Sequence, residues 1–279
     1  MKHDFALAAA SYDSAAVLAR ETGLRMAERL DYVRIAPRVI ADIGCATGEG
    51  LRELMRRYPS ARPLAIDFAR PMLGAVRAQT PFLQRFIQHM RGKSPQLINA
   101  DVRALPLAAG SLGLAWSNLM LHWVDDPQPA FLELHRALEV GGLLMFSVLG
   151  PDTLKELRDA GSKTGINPPL RRFIDMHDLG DMLLAAGFAD PVMDMEMLTL
   201  TYATPRRLLA DQRHLGVRNG MFGGMGWRDW RRLFHAYEES RVAGRLPATF
   251  EILYGHAWKP QPRVAEDGRA IIRFTDKQK

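Results

Sequence analysis

Residues 39 to 48, Val39-Ile40-Ala41-Asp42-Ile43-Gly44-Cys45-Ala46-Thr47-Gly48, constrain this chain more than any other stretch. An apolar run ends in a carboxylate, and two glycines punctuate a turn ahead of a helical pattern. Gly44 and Gly48 allow the backbone to turn sharply and approach a ligand with no Cβ in the way. The helix that follows presents unpaired N–H groups, which suit a small anionic ligand. Asp42, at the strand's end, either bonds an amine or orders the turn. Such a turn belongs at the top of a parallel strand in an α/β fold.

The details of the turn narrow the ligand. A dinucleotide fingerprint counted from Gly44 needs glycines at 46 and 49, where the chain has Ala46 and Glu49, so NAD is disfavoured. A phosphate-binding P-loop needs Lys and then Ser or Thr after Gly48, and Glu49-Gly50 supplies neither. What remains resembles the first motif of the class I S-adenosylmethionine-dependent methyltransferases, with Ala46 in place of the usual middle glycine. Two later runs end in acids in the same manner. Pro63 to Asp67 closes about 20 residues beyond the turn, where a carboxylate reaches both ribose hydroxyls. Leu97 to Asp101 places a second acid for the adenine amino group. Met72 lies either over an adenine face or in a helix core. The expected cofactor is S-adenosyl-L-methionine, with contacts from Asp42, Gly44, Cys45, Ala46, Gly48, Asp67, Phe68, Met72, Asp101, Val102 and Asn118.

With 279 residues, 47% of them apolar, the chain can bury one large or two small cores. No run reaches membrane-spanning length, and Met1-Lys2-His3-Asp4 does not open a signal peptide, so a cytoplasmic location is expected. Cys45 is the single cysteine, which excludes internal disulfides and cysteine-rich zinc sites. The eight histidines lack paired ligand spacing, and no metal is expected. A net charge of +6 is unevenly placed, with arginines crowding Arg206 to Arg245. Those arginines form either a docking face for an acidic macromolecule or a solvated helix surface. Nucleic acid is disfavoured, because no recognised binding motif accompanies them.

Strands are expected near 38–43, 63–67, 96–100, 112–117 and 142–148, alternating with helices over 48–57, 70–79 and 128–138. That alternation predicts a doubly wound, mostly parallel, Rossmann-like sheet. Ser14 to Arg34 reads as one amphipathic helix capped by Asp13 or Ser14, with Val17, Leu18, Leu24, Met26 and Leu30 on its apolar face. After residue 150, helices are expected at 152–160, 175–186, 204–215 and 227–241. Strands are expected at 193–197, 250–258 and 270–274. The organisation is therefore an N-terminal helix and lid (1–37), a cofactor core (38–150), and a C-terminal part (151–279). That last part completes the sheet and carries an inserted helical cap over about 204–245.

Two residues are candidates for chemistry. His122 follows the fourth strand, where it either meets a substrate near the cleft or bonds to backbone beside Trp123. Tyr12 is either a lid over the cofactor or packing for the first helix. Arg171 and Arg172 offer a bidentate fork for a second carboxylate, or lie on the surface.

Several blocks resemble one family in particular: Ala8 to Asp13, Asp42 to Gly48, Ser117 to Trp123, Leu149 to Arg158, Phe173 to Asp181 and Leu246 to Trp258. They are similar to the malonyl-acyl-carrier-protein O-methyltransferases of biotin synthesis. The resemblance implies methylation of the free malonyl carboxyl on acyl carrier protein. That acidic partner would suit the arginines, Arg231 and Arg232 among them, and a monomeric enzyme is expected. Four positions depart from the pattern. Ala46 and Gly113 replace a glycine and an acid, and Leu7 and Ala19 replace an arginine and a glutamine. A second resemblance, through Leu121-His122-Trp123 and Asp152-Thr153-Leu154, is to a complex I assembly factor that hydroxylates an arginine. It leaves open a protein-arginine hydroxylase or assembly role, as the altered motif leaves open a non-catalytic cofactor-binding module.

Overall fold

The computed structural model describes residues 2–79 and 93–262; the strand expected at 270–274 lies outside them. Seven strands make one sheet: β1 (Val39–Ile43), β2 (Arg62–Asp67), β3 (Gln96–Asn99), β4 (Leu112–Asn118), β5 (Leu138–Leu149), β6 (Ala189–Tyr202) and β7 (Leu246–Trp258). Their order is β3-β2-β1-β4-β5-β7-β6. The first five run parallel, and β7 is antiparallel to both β5 and β6. Ile40, Ala41, Leu114 and Ala115 are fully buried, as expected of parallel strands covered on both faces. Strand order reverses between β1 and β4, and at such a switch point a crevice opens outside the carboxyl ends of the strands.

Helices cover both faces. Among those following the core strands are α4 (Glu49–Arg57), α5 (Arg70–Gln79) and α6 (Gln128–Ala137). In α4, Leu51 and Leu54 are buried one turn apart, while Arg56 and Arg57 sit in the last turn, where the helix dipole favours cations. One core gathers around Trp116 and Met26, and the other around Phe131 and Phe146 on the opposite face. Further along come α7 (Lys155–Thr164) and α8 (Met176–Ala185), then α9 (Pro205–His214), α10 (Arg218–Met221) and α11 (Trp227–Glu238) between β6 and β7. β6 runs well beyond the five residues expected of it, because it pairs with β7 from Ala189 to Tyr202.

The N-terminal segment differs most from the expected single helix. It forms α1 (Lys2–Ala8), α2 (Tyr12–Ala15) and α3 (Val17–Arg29), and Ala16 leaves helical geometry at ψ 30° between the last two. Asp13 does not cap a helix. Its carboxylate accepts from Thr47 Oγ1 at 2.6 Å and Gln79 Nε2 at 2.6 Å, tying the segment to the turn and to α5. Leu18, Met26 and Leu30 are buried as expected, but Val17 and Leu24 are exposed. Within α3 the buried face runs through Leu18, Thr22 and Met26, and Val17 and Leu24 lie off it.

Gly113 has no room for a larger residue. A Cβ there would lie 2.8 Å from Pro37 Cβ and 3.0 Å from Glu139 Oε1. Gly255 in β7 is tighter still, since a Cβ would lie 2.3 Å from Phe146 Cζ and 2.9 Å from Met193 Sδ. Gly255→Ala is therefore expected to destabilise the fold by about 1–3 kcal/mol through overpacking. The loss would be read as a lower urea midpoint at unchanged slope.

Candidate active site

The turn after β1 is built by backbone bonds. The Gly44 and Cys45 N–H groups donate to Ile66 O at 2.8 and 3.1 Å, and the Gly48 N–H donates to Cys45 O at 2.7 Å. Gly44 has φ +74°, and a Cβ there would lie 2.2 Å from Met120 Cγ. Only glycine satisfies both the conformation and the approach. Ala46 also takes a left-handed φ, 45°, which costs an L-residue about 1–2 kcal/mol. Its N–H donates to Asp67 Oδ2 at 3.0 Å, while the Ala69 N–H donates to Asp67 Oδ1 at 2.8 Å. Asp67 thus joins the loops after β1 and β2, and burial raises its pKa above the usual carboxylate range.

Above this floor lies a cleft of about 430 Å³, a size suited to a small-molecule site. Asp67, Phe68, Met72, Asp101 and Val102 line one side, and Gly44 and Ala46 of the turn, with Asn118 at the end of β4, line another. Met72 lines the cleft and is also buried against Ala8 and Ala69. Asp101 lines the cleft, but its carboxylate is already engaged by the Arg103 N–H, Nε and Nη2 at 2.9, 3.0 and 2.7 Å. That pairing lowers its pKa. Asn118 is fixed by donation to Ala19 O at 2.7 Å and by acceptance from Ser147 Oγ at 2.8 Å.

A side chamber opens across the turn and shares Tyr12, Gly44, Ala46 and Asn118 with the cleft. Asp42 and Cys45 face it. Burial pushes Asp42 up to about 7, against the lowering effect of the Leu51 N–H. Its Oδ2 is buried without a hydrogen-bond partner. The Cys45 thiol is raised well above its ordinary value by burial, so it is packing rather than a nucleophile. Gly48, expected at the cofactor, instead has φ +84° and packs against Val76 Cγ2, which a Cβ would meet at 3.0 Å, and it lines neither space.

Tyr12 lies over both spaces. Burial raises its phenol, and Asp67 and Asp13 add to the shift. His122 does not enter the cleft. Leu119 takes a left-handed φ of 49° directly after β4, so Leu119 and Met120 face the ligand space and His122 turns away. Its ring lies 4.6 Å from Trp123 and 5.5 Å from Phe173, and Nδ1 accepts from the Leu149 N–H at 3.3 Å. Burial, with the Arg171 charge adding, holds it neutral at about 3. Arg171 donates from Nε to His122 O at 3.1 Å and from Nη2 to Asp125 at 3.0 Å, beside the cleft rim. Arg172 is exposed. Arg231 and Arg232 lie on the outer face of α11, away from the cleft, and Arg232 donates to Thr164 O at 3.1 Å.

Two aromatic residues that the sequence does not assign to the cofactor complete the site. The Phe5 ring, from α1, lies 5.7 Å from Phe68 and 6.4 Å from Trp123, and both Phe5 and Trp123 line the cleft. Their placement depends on long-range packing: a Cβ on Gly216 would come within 2.9 Å of Phe5 Cα, so α1 rests against the loop after α9.

The cleft fits S-adenosyl-L-methionine. Each Asp67 oxygen keeps a second lone pair for a ribose hydroxyl, Phe68, Met72 and Val102 offer apolar surface to an adenine, and the orphaned Asp42 Oδ2 is an acceptor for an ammonium. Sheet order, turn and cleft together define a class I S-adenosylmethionine-dependent methyltransferase. The family described as "Methyltransferase domain" matches residues 41–146. Among similar proteins, the malonyl-[acyl-carrier protein] O-methyltransferase of Gallionella capsiferriformans is 49% identical, covering 100% of this chain and 97% of its own. That of Laribacter hongkongensis is 46% identical, covering 98% and 94%. A Haemonchus contortus phosphoethanolamine N-methyltransferase solved with S-adenosyl-L-methionine superposes with a TM-score of 0.53 at 15% identity, over 91% of this chain and 57% of that one. The chain belongs to the malonyl-[acyl-carrier protein] O-methyltransferase family.

The state of Asp42 has a measurable consequence. A carboxylate whose folded pKa is raised stabilises the fold fully below its unfolded value, and that contribution is lost as pH rises through the folded one. Without ligand, the wild type is expected to lose stability relative to Asp42→Asn as pH climbs from about 4 to about 7. Urea titrations of both proteins across that range measure the difference, and parallel curves would contradict the assignment.

Proposed function

We propose that this protein transfers the methyl group of S-adenosyl-L-methionine to the free carboxyl of a malonyl group on acyl carrier protein, giving the methyl ester that starts biotin synthesis. Kinship over nearly the whole chain carries this reading, because it spans the C-terminal half as well as the cofactor core. The enzyme acts as a cytoplasmic monomer on a protein-borne acyl group, with no nucleic acid partner. No helix among the described residues is long and apolar enough to cross a membrane.

The cofactor, when bound, supplies a methyl group on a positively charged sulfur, already activated toward an oxygen anion. The protein's task is alignment and exclusion of water. Asp67 and the Gly44 turn hold the nucleoside, with Cys45 and Ala46 shaping the turn and Asp101 flanking it. Phe5, Tyr12 and Trp123 close the cleft against solvent. A malonyl carboxyl is ionised at neutral pH, so no side chain has to remove a proton, which agrees with the buried, neutral His122 lying outside the cleft. Arg171 stands at the rim, and its partner Asp125 is 95% exposed. An incoming carboxylate or phosphate can replace such a partner at little cost.

Purified protein given malonyl-acyl carrier protein and methyl-labelled cofactor should yield a labelled, base-labile ester on the carrier. Absence of label would reject the reading. Arg231 and Arg232, on the cap, are assigned to docking of the acidic carrier. Replacing both with Ala should weaken carrier binding more at low than at high salt, since exposed charges act through a screened field. An unchanged salt dependence would remove that assignment.

A further inference from the structure

Two tryptophans stand one turn apart on α11, and the cap uses them differently. The Trp230 ring packs 5.8 Å from Phe222 and 5.1 Å from Phe234. Trp227, in the first turn, is 67% exposed and meets no other ring among the described residues. A large apolar ring gains free energy by leaving water. The helix nevertheless buries Leu233, Ala236 and Tyr237 on its inner face and leaves Trp227 outside.

The arginines around it divide in the same way. Arg232 is braced, donating to Thr164 O at 3.1 Å and lying 3.9 Å from Asp229. Arg228 and Arg231 are exposed and carry no ion pair among the described residues. Helical spacing sets Arg231 one turn beyond both Trp227 and Arg228. The outer face thus presents an apolar ring beside two unneutralised cations, and Trp and Arg are the side chains that most often dominate the energetic centre of a protein interface. This face is joined to the active site by packing. Trp230 rests on Phe222, Phe222 bridges to Leu170, and the next residue, Arg171, stands at the cleft rim.

We propose that Trp227 is the apolar anchor of carrier docking, covered by the acidic surface of acyl carrier protein, with Arg228 and Arg231 meeting carboxylates beside it. The inference rests on the acceptor proposed above and adds the residue that gives docking a part insensitive to salt. Charge complementarity selects this occupant. The free cations call for a carboxylate-bearing partner, and the ring calls for an apolar side chain set among those carboxylates. A lipid surface fits the face less well, because an interfacial helix lays a whole apolar stripe into the membrane. Here that stripe of α11 faces the core.

Salt separates the ring from the charges. Calorimetry with malonyl-acyl carrier protein, in the presence of S-adenosylhomocysteine, should show Trp227→Ala weakening carrier binding about 10- to 100-fold, as at an apolar hot spot, and by a similar factor at low and high salt. Trp227→Phe, which keeps a ring, should recover part of the loss. Arg228→Gln should weaken binding about two- to fivefold at low salt and approach the unaltered protein at high salt. S-adenosylhomocysteine affinity and the urea midpoint should stay unchanged in all three variants. Unchanged carrier affinity in Trp227→Ala would overturn the proposal. So would a loss that vanishes at high salt, or an accompanying fall in S-adenosylhomocysteine affinity and urea midpoint, which would make Trp227 a brace of the cap. Binding to phosphatidylglycerol vesicles that Trp227→Ala abolishes while carrier affinity persists would assign the ring to a membrane instead. If the unaltered protein neither binds nor methylates the carrier, the acceptor reading itself fails, and this docking with it.

Discussion

The Asp67 carboxylate is the joint on which the site depends. It accepts from Ala46 after β1 and from Ala69 after β2, so one buried acid fixes two neighbouring turns and presents its remaining lone pairs upward. Burial raises its pKa, and the two backbone N–H groups oppose that shift by bonding to the charged form. Without them the acid would favour the neutral state and be a poorer acceptor for ribose hydroxyls. The same bond holds Ala46 in its left-handed conformation. A strained residue in the turn is thus retained by the group that also defines the ligand floor.

The N-terminal segment acts on this floor from above. Asp13 binds Thr47 and Gln79, and Gln79 Oε1 accepts from Arg52, which also donates to Thr47 O. The network spans α2, the turn, α4 and α5. Tyr12 is carried on it, and Phe5 is braced from behind by the loop at Gly216. The cover of the cleft is therefore tied to the core at Asp13 and to the inserted helices at α1, where Asp4 accepts from Asn219 at 3.2 Å. Cofactor space and cap share this covering segment.

What the sequence makes legible follows from range. The strand ends at Asp42, Asp67 and Asp101 and the turn at Gly44 are short-range features, and their spacing alone places them at one edge of the sheet. Asp101 reached the cleft, yet its neighbour Arg103 claimed the carboxylate, a pairing that two residues of separation permit but do not require. His122 takes the second of its two readings, a bond to backbone beside Trp123, because strand-end direction does not persist four residues past β4. The left-handed turn at Leu119 reverses the side chains after Asn118, and no glycine marks it. Phe5 carries no local signal at all, since its role depends on packing against α5 and on contacts with residues more than two hundred positions away.

Charge distribution explains how an anionic acceptor and a cationic cofactor use one cleft. The described lining carries Asp67, Asp101 and the rim acid Asp125, and its single cation, Arg103, is committed to Asp101. An empty cleft of this composition favours a positive ligand and disfavours a carboxylate. The attraction for an anionic acceptor then has two sources, neither of them a side chain within the cleft. One is the sulfonium charge the cofactor would bring, and the other, on the docking proposed above, is the arginines outside, Arg171 at the rim and those of the cap. A long, tethered acyl group suits that division, because its protein carrier can be held at the surface while only the small reacting carboxylate enters.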